Sequence, residues 1–160
     1  MKKTLYYGFV LLAFLQVSCD PCANNKCENG GDCANGRCYC PLGYEGKSCE
    51  TEWSARFVKG FASVTGCNKT YSVDIQRIDN QTIKIYNLGG FTNQSSCLRE
   101  QTAVKGKLIS STYFKIDETF CTGYHLQGDG TFNVTTKKMT LNYHCDFPSG
   151  NEDCALVFDY

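Results

Sequence analysis

Six cysteines crowd between positions 22 and 49 with the spacing C-x4-C-x5-C-x4-C-x-C-x8-C, and no other feature limits the chain so much. A segment this short cannot bury a stabilising apolar core, so something covalent has to hold it. Disulfides do so mainly by restricting the unfolded chain, each contributing about 2 to 4 kcal/mol, and they persist in oxidising surroundings. A zinc site on the same cysteines is disfavoured, because neither of the two histidines, His125 and His144, lies near them in sequence. Spacing by itself leaves the connectivity open.

The residues between the cysteines carry more information. Asn29-Gly30, Asn35-Gly36, Gly43 and Gly46 suit turns that need positive φ, and Asn35-Gly36 reads as a two-residue hairpin turn between Cys33 and Cys38. The run Cys27-Glu28-Asn29-Gly30-Gly31, the step Cys38-Tyr39-Cys40 and the ending Cys40-x2-Gly43-Tyr44-x-Gly46-x2-Cys49 resemble an EGF-like module. That resemblance implies pairing of Cys22 with Cys33, Cys27 with Cys38 and Cys40 with Cys49. It also raises calcium, which some EGF-like modules bind through oxygen ligands. Asp20 before Cys22 and Asn35 after Cys33 match part of that subfamily's pattern. The loop from Cys33 to Cys38 is too short for the rest, so no metal or other cofactor is assigned.

Upstream, residues 1–18 read as a signal peptide, with Lys2-Lys3 before an apolar stretch from Leu5 to Leu15 that is short for a membrane span. The following Leu15-Gln16-Val17-Ser18-Cys19 resembles the lipobox of bacterial lipoproteins, in which the cysteine is acylated and becomes the new N-terminus. Gln16 departs from the strict pattern, and the looser lipoboxes of Bacteroidota tolerate such changes. Two or three acyl chains on Cys19 anchor a protein firmly, since each buried methylene contributes about 0.8 kcal/mol. Ordinary leader cleavage, giving a freely secreted protein, is the alternative. Parity favours that alternative, because lipidation of Cys19 leaves an odd number of cysteines.

Past the module the pattern changes. Glu50 to Ser54 is a polar connection around Trp53, the only tryptophan, expected to pack where the module meets a second domain. From there apolar residues recur with period two: Tyr71, Val73 and Ile75; Ile83 and Ile85; Phe114 and Ile116; Met139, Leu141 and Tyr143. About eight strands in meander order are expected, at 57–66, 70–78, 82–87, 101–109, 111–120, 122–134, 137–145 and 154–160, with Gly128-Asp129-Gly130 bending the sixth as a bulge. With no helical periodicity to cover a face, such strands close into a barrel or fold into a sandwich. The fold class is therefore all-β: a disulfide-rich module at 19–50, then an antiparallel barrel or sandwich at 51–160. Among the remaining cysteines, Cys145 with Cys154, Cys67 with Cys154, and Cys97 with Cys121 are all open pairings. The motifs Phe57-Val58-x-Gly60, Ser63-Val64-Thr65-x-Cys67, Ile85-Tyr86-Asn87-Leu88-Gly89 and Gly128-x-Gly130-Thr131 resemble a domain that follows EGF-like modules in envelope lipoproteins of Bacteroidota, a family without an established activity.

Charge and motifs exclude several functions. Acidic and basic residues balance, so no nucleic-acid partner is indicated. There is no G-x-S-x-G elbow, and neighbouring carboxylates such as Asp117-Glu118 and Glu152-Asp153 diverge on a strand or sit in a turn, so no enzyme is expected. His125 and His144 read as solvent-facing; a metal site would need both on one face of adjacent strands and lacks a third ligand. Asn68, Asn80, Asn93 and Asn133 stand in N-glycosylation acceptor triplets, which matter only for a eukaryotic secreted protein. The expected function is thus a non-enzymatic lipoprotein of the bacterial envelope, facing the periplasm or the cell surface. It would meet the membrane through its lipid and offer loops 87–101 and 147–153 to a protein or glycan. A lipocalin-like carrier of an apolar ligand is the alternative, and an interior filled by Tyr71, Phe114, Leu126 and Leu141 excludes it.

Overall fold

The computed structural model describes residues 20–93, 103–121 and 123–159. Residues 1–19, which hold the expected leader and the expected acylation site Cys19, and Cys97 lie outside them. In the cysteine-rich module, β1 (Asp32–Ala34) and β2 (Arg37–Tyr39) form a hairpin, and β3 (Tyr44–Glu45) pairs with β4 (Thr51–Glu52). Asn35 and Gly36 adopt φ of 51° and 75°, the paired positive values that a tight hairpin turn with right-handed strand twist requires. Bridges join Cys22 to Cys33, Cys27 to Cys38 and Cys40 to Cys49, the pairs that the EGF-like resemblance implies.

Eight antiparallel strands then close into a barrel: β5 (Lys59–Gly66), β6 (Lys69–Asp79), β7 (Thr82–Tyr86), β8 (Val104–Ser110), β9 (Tyr113–Phe120), β10 (Tyr124–Asn133), β11 (Lys138–Phe147) and β12 (Gly150–Asp159). Each pairs with its sequence neighbour, and β12 returns to β5. Alternation fits the closure, because one face of every strand is apolar and a closed wall hides all eight faces together. Val64, Val73, Ile75, Ile83, Ile85, Phe114, Leu126, Met139, Leu141, Leu156 and Phe158 fill the interior. The outer wall carries Lys105, Lys107, Lys115, Asp117, Asp129, Asn142 and Asp153. An apolar inside and a charged outside is the reverse of a barrel built to sit in lipid.

Two expectations are corrected. The first barrel strand begins at Lys59, and Phe57 instead ends a short 3-10 turn (Ser54–Arg56), from which its fully buried ring plugs the barrel against Phe114 and Phe132 at 5.5 and 5.7 Å. Gly128-Asp129-Gly130 makes no bulge, for β10 keeps unbroken register with both neighbours. The glycines serve packing instead. A Cβ at Gly130 would stand 2.0 Å from the Phe114 ring, so the ring lies over bare backbone, a cross-strand pairing that lets a large aromatic enter a narrow barrel. Bulges occur elsewhere, between Lys59 and Ala62, Arg77 and Asp79, and Leu108 and Ser110.

The seam between β12 and β5 is short, with three paired positions, Ser63 to Thr65 against Val157 to Asp159. Cys67, just beyond β5, is bridged to Cys154 on β12. Cys121 is also disulfide-bonded. Cys145 is a buried free thiol.

Candidate functional site

A meander places alternate connections at opposite ends of its barrel. The module occupies one end. Asn80, in the β6–β7 turn, donates from Nδ2 to the Leu42 carbonyl at 3.2 Å, and a Cβ on Gly43 would strike the Asn80 side chain at 2.4 Å. Arg77 is ion-paired with Glu52 and Arg56 with Glu45, while Arg56 also donates to the Ser111 carbonyl at 3.2 Å. Trp53, half-buried, packs against the barrel core, and its backbone N–H donates to Gly43 O at 2.8 Å. Module and barrel therefore meet over several directional contacts.

The opposite end gathers the connections after β5, β7, β9 and β11. There Lys69, Gly89, Gly90, Tyr124, Phe147, Ser149 and Glu152 line a cleft of about 300 Å³. Loops 87–101 and 147–153, expected to offer contact surface, come together here through Gly89 and Gly90 on one side and Phe147, Ser149 and Glu152 on the other. Residues 94–101 lie outside the described part.

The cleft has a polar floor and an aromatic wall. The Tyr143 hydroxyl donates to Glu152 Oε1 at 2.7 Å, and Lys69 Nζ lies 3.4 Å from Glu152 Oε2. The Tyr71 hydroxyl accepts from the Gly89 N–H at 3.0 Å. Gly89 and Gly90 both have positive φ, 78° and 68°, which turns this backbone back over the Tyr71 ring. Burial pushes the Tyr71 hydroxyl up to about 12, and burial followed by the Glu152 hydrogen bond pushes Tyr143 up as well. Both phenols stay neutral and act as hydrogen-bonding groups. Along the wall Tyr124 stacks on Phe147 at 5.9 Å and tilts against Phe120 at 5.6 Å. Sugar-like or peptide ligands, which present apolar faces beside hydroxyl or amide groups, suit such a surface.

Sequence reasoning named the two loops, Glu152 among their residues, and missed Lys69, Tyr124 and Tyr143. A signal was present: inward tyrosines need a partner for the hydroxyl, and Tyr71, Tyr124 and Tyr143 all fall near one end of their strands.

Other candidates fall elsewhere. Asp20 Oδ1 accepts from the Cys22 N–H at 2.9 Å, and Asn35 is held in its hairpin turn. Arg37 and Lys47 line the groove of about 340 Å³ next to that turn, a poor setting for a calcium ion. Cys67, Cys154 and Glu152 lie close enough to share a metal, but both sulfurs are spent in the bridge. Burial pushes the Cys145 thiol up to about 11, far from the thiolate that reactivity needs. The Asn80 amide packs against Leu42 and Gly43, so a glycan there would undock the module. His125 and His144 stand on the outer wall and do not line the cleft. A broader depression of about 580 Å³ runs along the wall by His144 and Asp153.

No family model matches the chain. A crystal structure of a Bacteroides fragilis protein, provisionally named an outer membrane protein, superposes with a TM-score of 0.31 at 16% identity, over 66% of this chain and 51% of that one. The chain spans about half the length of that protein, and the overlap is too small to define a shared fold. No helix among the described residues is long and apolar enough to cross a membrane.

Proposed function

We propose that this chain is a non-enzymatic cell-envelope lipoprotein, tethered through acylated Cys19, whose EGF-like module carries the barrel and whose far cleft binds a protein or glycan. One observation carries the reading: the module, joined directly to the proposed anchor, docks at one barrel end, and the polar-aromatic cleft opens at the other. A tether at the first pole leaves the second turned away from the membrane. The module's bridge pattern and its two small hairpins support the EGF-like reading.

Cysteine parity stood against lipidation, and the free Cys145 supports the reading in its favour. If Cys19 is acylated, one remaining cysteine needs no partner, and Cys145 is a free thiol sealed in the core, where burial keeps it protonated. A binding role is supported by the cleft's chemistry. Its charged pair is mutually satisfied, its phenols are neutral, and among the described residues no histidine enters it to serve as a base. The carrier alternative loses ground because Phe114, Leu126 and Leu141 occupy the interior, although Tyr71 sits at the rim.

The test is fractionation of the full chain with its own leader in its own cells. Wild type is expected in the membrane fraction with an acyl mass on Cys19, and Cys19→Ala in the soluble fraction. Cys19→Ala recovered undiminished from membranes defeats the proposal.

A further inference from the structure

The mouth makes no use of the two histidines, which share the outer wall. His125 is on β10 and His144 on β11, and strand register sets His125 directly opposite Asp146. Asp146 follows His144 by two residues, hence on the same face. His144 is itself opposite Asp153 on β12. Two imidazoles and three carboxylates, counting Asp117 beside His125, thus occupy neighbouring positions on the wall.

His144 is held in an informative way. Its Nδ1 is hydrogen-bonded to Asp153 Oδ1 at 2.7 Å, and its Nε2 to Asp146 Oδ1 at the longer distance of 3.2 Å. With metal bonds of about 2.0 to 2.2 Å, two ligand atoms of a tetrahedral zinc site stand about 3.3 Å apart, close to the second distance and well beyond the first. One nitrogen fixed by a carboxylate while the other faces a second carboxylate at ligand spacing is the arrangement of a metal-binding histidine with its outer partner. His125 Nε2 is now 2.8 Å from Asp117 Oδ1. Directly opposed residues have Cβ atoms only about 5 Å apart, and the site requires this ring to leave Asp117 and turn toward Asp146.

We propose that His125, His144 and Asp146 form a surface site for a zinc-class divalent cation, with Asp153 positioning His144 and water completing the tetrahedron. Imidazole ligands favour zinc, copper or nickel over calcium and magnesium. The carboxylates supply the negative charge that the cation neutralises. This site is independent of the mouth cleft and of membrane anchoring.

The test is titration of chelator-stripped full chain with zinc chloride by calorimetry, with cobalt(II) absorption reporting geometry. One-to-one binding with an intense tetrahedral cobalt spectrum is expected. His144→Asn and Asp146→Asn should each weaken binding more than tenfold, His125→Asn should do likewise, and Asp153→Asn should weaken it about tenfold as an outer partner. Asp129→Asn, on the same wall outside the cluster, should leave affinity unchanged. Far-UV circular dichroism checks that every variant folds. Absence of binding at millimolar zinc, unchanged affinity in both histidine variants, an equal loss in Asp129→Asn, or displacement by equimolar calcium overturns the site.

Discussion

The module and the barrel solve the same problem by different means. Among the described residues of the module Cys49 is the only hydrophobic side chain that is fully buried, and three bridges span segments of nine to eleven residues. In the barrel a continuous cluster from Phe57 to Phe158 excludes water, and the Cys67–Cys154 bridge ties residues 87 apart in sequence. Covalent bonds replace a core in the first region; in the second they close a seam that the core already draws together. Oxidising surroundings are therefore a condition for the module to exist and a reinforcement for the barrel.

The largest expected effect breaks that comparison at the module. Replacing Cys27 and Cys38 together by serine removes about 2 to 5 kcal/mol, more than so small a core can supply, so residues 20–50 should become sensitive to protease while the barrel's strand signal persists. Simultaneous loss of both regions would show one cooperative unit instead. Next comes the seam. Replacing Cys67 and Cys154 by serine should cost the barrel about 4.6 kcal/mol in the chain-entropy account, read as a lower urea midpoint, and an unchanged midpoint would mean that the strand pairing of the seam suffices. Gly130→Ala follows at about 1 to 3 kcal/mol by overpacking, because its Cβ would enter the Phe114 ring; urea denaturation that matches wild type would sink the account of how that ring fits.

These contrasts bear on what the sequence discloses. Period-two alternation placed all eight barrel strands, because a side chain's face depends only on parity along a strand. Strand order followed from short connections. The role of Gly128 and Gly130 did not follow, since a glycine marks a bulge and a close aromatic contact alike, and only the position of Phe114 across the sheet separates them. Cys67–Cys154 was one pairing among several for the same reason: sequence distance says nothing about which strands meet when a sheet closes. The cleft was half legible. Loops 87–101 and 147–153, the latter with Glu152, stand out by composition, whereas Tyr143 reads as an ordinary strand residue and Lys69 as part of a turn until closure brings β6, β11 and β12 together. On the wall, alternation allowed His125 and His144 to share a face, and register between β10 and β11 supplied Asp146 as the missing ligand.

The smallest effect sharpens the comparison through pH. In the module, backbone N–H groups of Glu50 itself and of Ser48, the latter at 2.8 Å, hold the exposed Glu50 carboxyl below its ordinary 4.5. On the barrel wall, hydrogen bonds to Asp153 and then Asp146 hold the exposed His144 above its ordinary 6.5. The signs are opposite. A lowered carboxyl contributes stability that is complete above 4.5 and is lost as pH falls through the lowered value. A raised imidazole contributes stability that is complete below 6.5 and is lost as pH climbs through the raised value. Acid thus loosens the module's contact, and mild alkali loosens the wall's. Both groups are solvent-screened, so denaturation curves should barely register either change. NMR titration of metal-free protein should register both: a Glu50 midpoint under 4.5, a His144 midpoint over 6.5, and a fall in the His144 midpoint in Asp153→Asn. A His144 midpoint that Asp153→Asn leaves in place would mean that the 2.7 Å contact does not persist in solution, and the wall would lose the fixed imidazole on which its proposed cation site depends.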